Sequence, residues 1–149
     1  MPTPLFDRAT ITAIFSNFID IWNLHCSFLE ALTSSEDKPL SPILQAHFPY
    51  LSLYTPFITS FPTTLHTLMN LSPNATTFIR EREKDERCGK LQLRDWLLTI
   101  VQRCPRYLLL LKDLLAFTDP EDEEYKKLVL VYNLVSKSTP IPSLKTPSD

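Results

Sequence analysis

The sequence predicts an all-α fold, an elongated bundle of about five or six helices, and three observations predict it. Apolar residues recur every three or four positions along most of the 149-residue chain, most plainly from Leu91 to Phe117. Glycine occurs once, at Gly89, which excludes Asn-Gly hairpins and Gly-rich phosphate loops together. The thirteen prolines crowd at the N-terminus, between Pro39 and Pro73, and from Pro140 onward, where they punctuate short helices or mark tails.

Taken in order, residues 1–9 are a proline-containing lead. Thr10 can cap a helix over 11–32, because its hydroxyl can accept a free backbone N–H there. Ile11, Ile14, Phe15, Phe18, Trp22, Leu29 and Leu32 form its apolar stripe, and His25 within it reads as a packed or surface residue. Residues 33–40 are a polar loop. From Ser41 to Leu71 the pattern stays helical but is cut by Pro49, Pro56 and Pro62, which predicts short helices or a kinked one. Phe48, Tyr50, Tyr54, Phe57 and Phe61 are expected to anchor this region to the core.

Ser72 and Asn74 offer capping side chains before a helix over 74–88, whose charged second half holds a Glu83–Arg87 pair four residues apart. Gly89 suits a left-handed cap. The central helix, 91–117, places Leu93, Leu97, Val101, Cys104, Leu108, Leu111 and Leu115 inward. Thr99, Gln102, Arg103, Arg106 and Asp113 fall together on another side at about 100° per residue. Pro105 predicts a bend rather than a break, since the apolar spacing continues in phase across it. Asp119 and Pro120 open a last helix, Glu121 to Lys137, with Tyr125, Leu128, Val131 (or Tyr132) and Val135 inward. Residues 140–149 read as a disordered proline-containing tail.

Composition narrows function. At 44% hydrophobic the chain supports a real core, and a net charge of −2 carries no global bias toward nucleic acid or a membrane surface. No run of eighteen apolar residues appears, so no membrane insertion is expected. Cys26, Cys88 and Cys104 are an odd set without a C-x-x-C pair, in a chain whose start does not resemble a signal peptide. They read as reduced thiols in the cytoplasm. The Asn70 and Asn74 sequons then read as chance matches. His25, His47 and His66 lie apart from one another and from the cysteines, so no metal site is expected. No serine or cysteine has a visible base partner, and the acidic run 121–124 is explained by a helix start. Neither bond-making chemistry nor a cofactor is expected.

The segment Thr99 to Leu115 resembles the third conserved region of Dbl homology domains, the exchange factors for Rho-family GTPases. Gln102, Arg103, Arg106, Tyr107, Leu109, Leu110, Leu111, Asp113 and Leu114 match that pattern, with Ile100 where proline is usual. Phe15 to Leu32 is similar to the second conserved stretch: Phe-x-Asn, an apolar-His pair, then Phe-Leu. The region of Tyr54 and Phe57 resembles a further family segment, at its two tyrosine positions. The resemblance covers roughly residues 5–138, and it makes 1–139 a partial Dbl homology domain.

The resemblance implies a partner, a Rho-family small GTPase, held in its nucleotide-free form. It puts Arg106 at the basic position that engages switch II, Gln102 and Arg103 beside it, and Leu98 where the family helps choose between GTPases. It also implies departures. The first conserved helix, with its switch I glutamate, would lie before Met1. The family's terminal Ile-Asn would fall near Pro142 and Ser143. A chain without that first helix is expected to exchange nucleotide weakly or not at all, and to self-associate through the face left uncovered beside the central helix. The alternative reading is a non-catalytic helical interaction module on the same scaffold.

Overall fold

The computed structural model describes residues 4–34 and 37–138. The tail expected over 140–149 lies outside them. Among the described residues there are eight α-helical segments, two 3-10 turns and no strand: α1 (Arg8–Phe15), α2 (Phe18–Thr33), α3 (Leu40–His47), α4 (Tyr54–Met69), α5 (Pro73–Glu83), α6 (Leu93–Val101), α7 (Arg103–Ala116) and α8 (Glu123–Ser138). The 3-10 turns are Phe48–Leu53 and Glu86–Cys88. α1 packs on α4, α4 on α6, and α8 on α7, α3 and the first 3-10 turn. No helix among the described residues is long and apolar enough to cross a membrane.

Two of the expected helices are each divided in two, and counting each once leaves six. The stretch expected as one helix over 11–32 breaks at Ser16, whose φ is +48°, and at Asn17. The Asn17 side-chain amide donates to the Leu53 carbonyl at 2.7 Å, tying the break to the 3-10 turn. Thr64 secures the other side, its hydroxyl donating to the carbonyls of Ala13 and Ile14 at 3.0 and 3.2 Å. These two carbonyls close α1, where the helix offers no partner of its own. The cap at the start is Asp7, which accepts from the Thr10 N–H at 2.7 Å; Thr10 sits inside the first turn rather than ahead of it.

The break also resets the phase of the apolar stripe. In α2, Ile21 is buried, and Leu24, Phe28 and the residue between them, His25, face the same side. Trp22 and Leu29 stand one position further round, about 100° away, and are 57% and 62% exposed. Ile11 is likewise exposed. The expectation that all three face the core is therefore corrected.

Proline positions account for the next stretch. Pro49 opens the 3-10 turn, Pro56 lies in the first turn of α4, where its missing N–H costs nothing, and Pro62 is inside α4. With about three residues per turn, Phe48, Leu51 and Tyr54 point the same way and are buried. Tyr50 falls between them and points out, against the expectation that it anchors the core.

α5 starts as expected, with Ser72 accepting from the Ala75 N–H at 3.2 Å and Pro73 in the first position. It ends at Glu83, five residues early, so Glu83 and Arg87 no longer share a helix face. Arg87 pairs with Asp85 at 2.8 Å instead, and Glu83 caps the next helix by accepting from the Leu93 N–H at 2.5 Å. Gly89 is left-handed, φ +59°, closing the second 3-10 turn.

The central axis runs as α6 then α7, interrupted for one residue at Gln102. Pro105 has no N–H to give the Val101 carbonyl, and its ring crowds that carbonyl, so the ladder is interrupted where a bend alone was expected. Leu97, Val101, Cys104, Tyr107 and Leu111 remain buried on both sides, so the two pieces keep one inward face. α8 supplies the opposing layer with Leu128, Val131 and Val135. It begins at Glu123, with Asp119 and Asp122 each accepting a backbone N–H at 2.9 Å in the turn before it.

A groove beside the α6–α7 junction

The side chains expected to act lie at the junction of α6 and α7, which borders a groove of about 420 Å³. α2 forms one wall with Phe18, Ile21 and Trp22; Thr99, Ile100, Arg103 and Arg106 form the other. His25 and Tyr54 lie between.

This floor is an aromatic and polar cluster. Nδ1 of His25 lies 3.1 Å from the Tyr107 hydroxyl, and its Nε2 meets the Tyr54 hydroxyl. The His25 ring stacks on Tyr107, interplanar angle 10°, and meets Tyr54 edge-on at 84°. A neutral imidazole has one donor and one acceptor nitrogen, so one tyrosine donates to it and the other accepts. Burial first, and then the Arg103 charge, push His25 below its ordinary value of 6.5 and hold it neutral. Burial and the neighbouring Tyr107 and Cys104 raise the Tyr54 phenol, and burial pushes the Cys104 thiol up to about 12. Neither is a nucleophile at neutral pH.

The four expected contact residues are neighbours but stand differently. Arg106 is exposed on the groove wall and makes no ion pair or ring contact among the described residues. Arg103 is exposed too, yet its guanidinium lies 4.7 Å from the Tyr107 ring centroid, in cation–π range. Gln102 is half-buried at the interruption. Leu98 is partly buried and packs against the core. Sequence reading singled out none of Trp22, Tyr54 or Tyr107 as groove or floor residues. The i,i+4 spacing of Arg103 and Tyr107 was a usable signal; the union of His25, Tyr54 and Tyr107 spans 82 positions and left none.

Among the described residues no group of three or more His, Cys, Asp or Glu is placed to hold a metal. What the groove can do is bind: the exposed Arg106 guanidinium and the exposed Trp22 indole line its two walls, with His25 and Tyr54 between them.

A family model, the RhoGEF domain, matches residues 2–139. The chain is 30% identical over 146 residues to FYVE, RhoGEF and PH domain-containing protein 4 of Homo sapiens, covering 89% of this chain and 19% of the relative. It is 37% identical over 114 residues to protein 3 of the same series in Mus musculus, covering 70% of this chain and 16% of the relative. The chain thus spans about a fifth of such relatives. Among solved structures, the PDZ-RhoGEF DH/PH domains in complex with GTP-gamma-S activated RhoA superpose with a TM-score of 0.81 at 23% identity, over 90% of this chain and 42% of that one. The activated truncation of Vav1 gives 0.81 at 21%, over 89% and 36%. At those identities the likeness establishes the helical fold.

Proposed function

The chain belongs to the RhoGEF domain family, and on that basis we propose that it binds a Rho-family small GTPase along α6 and α7 and promotes release of its guanine nucleotide. The observation that carries this reading is Arg106: an exposed guanidinium without an internal partner, beside Gln102 and Arg103 on the family-matching segment. A structural neighbour that is itself a complex with RhoA supports the choice of partner. The work is differential binding. The nucleotide-free GTPase is held more tightly than the loaded one, which shifts the equilibrium toward release by the ratio of the two affinities. No bond is made or broken, and no cofactor takes part. Three unpaired thiols, Cys26, Cys88 and Cys104, suit a cytoplasmic setting.

Removing one charged partner from a buried interface pair costs about 2–5 kcal/mol. That corresponds to roughly thirty- to several-thousand-fold in affinity. Nucleotide-free Rho-type GTPases are therefore expected to bind the chain, and Arg106→Glu to reduce that binding by at least this factor. The test is calorimetric titration of several nucleotide-depleted GTPases, alongside release of a fluorescent guanine nucleotide. Undiminished binding by Arg106→Glu would remove Arg106 from the site.

A second reading, a helical interaction module without exchange activity, draws on the inward commitments of Leu98 and Arg103. It predicts a complex whose formation leaves the nucleotide-release rate unchanged. The outward apolar residues Ile19, Trp22, Leu109 and Leu110 are all more than half exposed and support self-association. A mass by light scattering that stays monomeric at every concentration would dismiss it.

A further inference from the structure

Toward the start of α6, α1, α5 and the 3-10 turn at 86–88 enclose a second pocket of about 380 Å³. It shares no lining residue with the groove at Arg106. Its wall is apolar, and four large side chains in it stay accessible: Ile11, Phe78, Leu91 and Trp96 are 47, 42, 38 and 42% exposed. Accessible apolar walls of this kind mark binding surfaces.

Two ionised side chains reach the pocket, and they are not equivalent. Glu83 is engaged, capping α6 through the Leu93 N–H at 2.5 Å. Arg82 makes no ion pair among the described residues; its guanidinium rests 4.9 Å from the centroid of the Phe78 ring. The pocket therefore presents an apolar interior with the Arg82 guanidinium unpaired at its exposed edge, while the Glu83 carboxylate is turned to the Leu93 N–H. A wholly polar ligand would lose its hydrogen bonds against this apolar wall, whereas one with an apolar chain and an anionic head can use both the wall and the exposed Arg82. An apolar cavity of about 150 Å³ holds benzene, so this one has room for roughly fifteen non-hydrogen atoms.

We propose that this pocket binds a medium-chain aliphatic carboxylate, its chain against Phe78 and Trp96 and its head at Arg82. The proposal stands apart from GTPase binding and does not depend on it.

Dodecanoate is the probe, with dodecanol as the uncharged control, the acid kept below its micelle-forming concentration and the alcohol below its solubility limit. Trp96 fluorescence is read in a Trp22→Phe background, and iodoacetamide labelling of Cys88 is followed by peptide mapping. Cys88 lines the pocket, while Cys26, exposed elsewhere, serves as the internal reference. Dodecanoate is expected to change the fluorescence saturably and to slow labelling of Cys88 but not of Cys26. Arg82→Glu should weaken dodecanoate by about tenfold, the size of replacing an exposed ion pair by a repulsion, and leave dodecanol almost unchanged. Ile11→Glu, on the accessible wall, should weaken both. An unsaturable signal, equal slowing of both cysteines, or equal loss of acid and alcohol in Arg82→Glu would overturn the proposal. So would a doubled mass with Cys88 shielded in the absence of any ligand, because a second copy would then occupy the pocket.

Discussion

The axis formed by α6 and α7 has two faces that share a backbone and little else. Inward, Cys104, Tyr107 and Leu111 are 0, 5 and 3% exposed and belong to the same core cluster as Leu128, Val131 and Val135 of α8. Outward, Arg106 stands unpaired, and Leu109 and Leu110 are 62 and 57% exposed. The inner face holds the fold together, so its substitutions should appear as stability. The outer face contributes little to the fold, so its substitutions should leave stability nearly unchanged. Arg103 belongs to both, exposed at its tip yet fixed over Tyr107.

The largest effect on the inner side is expected from Leu111→Ala, which should cost about 2–5 kcal/mol in urea denaturation by removing buried methyl groups and leaving a cavity. A cost below 1 kcal/mol would place Leu111 outside the core. Tyr107→Phe should cost about 1 kcal/mol, the value of the hydrogen bond it shares with His25, with the ring packing kept. An unchanged midpoint would show that this bond contributes nothing.

A pH effect should be smaller. His25 is held neutral, its folded pKa lying below 6.5, so the unfolded chain binds more protons as the solution becomes acidic. This contribution to stability is complete above pH 6.5, declines as pH falls below it, and levels off beneath the folded value. The Tyr54 phenol and the Cys104 thiol, both raised by burial, keep their protons across that window. His25→Gln should flatten the slope between pH 7 and 5, and an unaltered slope would assign it to other groups. The smallest effect belongs to the outer face: Leu110→Ser should change stability by less than about 0.5 kcal/mol.

The sequence-based reading recovered what local periodicity encodes. The run Leu97, Val101, Cys104 and Leu111 announced the buried face of the central axis, and Ser72-Pro73 announced the start of α5, because each signal lies within a few residues. The break at Ser16–Asn17 had no such signal. Neither glycine nor proline stands there, and what stabilises it comes from Leu53 and Thr64, far along the chain. The candidate groove was half legible for the same reason. A family pattern led to Gln102, Arg103 and Arg106, whereas the floor of His25, Tyr54 and Tyr107 exists only once three helices have packed.

If the outer face of α7 is a GTPase-binding surface, as we propose, it is separable from the fold. Arg106→Glu can be taken through two assays on one preparation: urea denaturation and titration with a nucleotide-free Rho-type GTPase. The denaturation midpoint should stay within error of the parent chain, with affinity reduced at least about thirtyfold. Full affinity in the charge-reversed chain, or a loss of affinity that merely tracks unfolding, would contradict it.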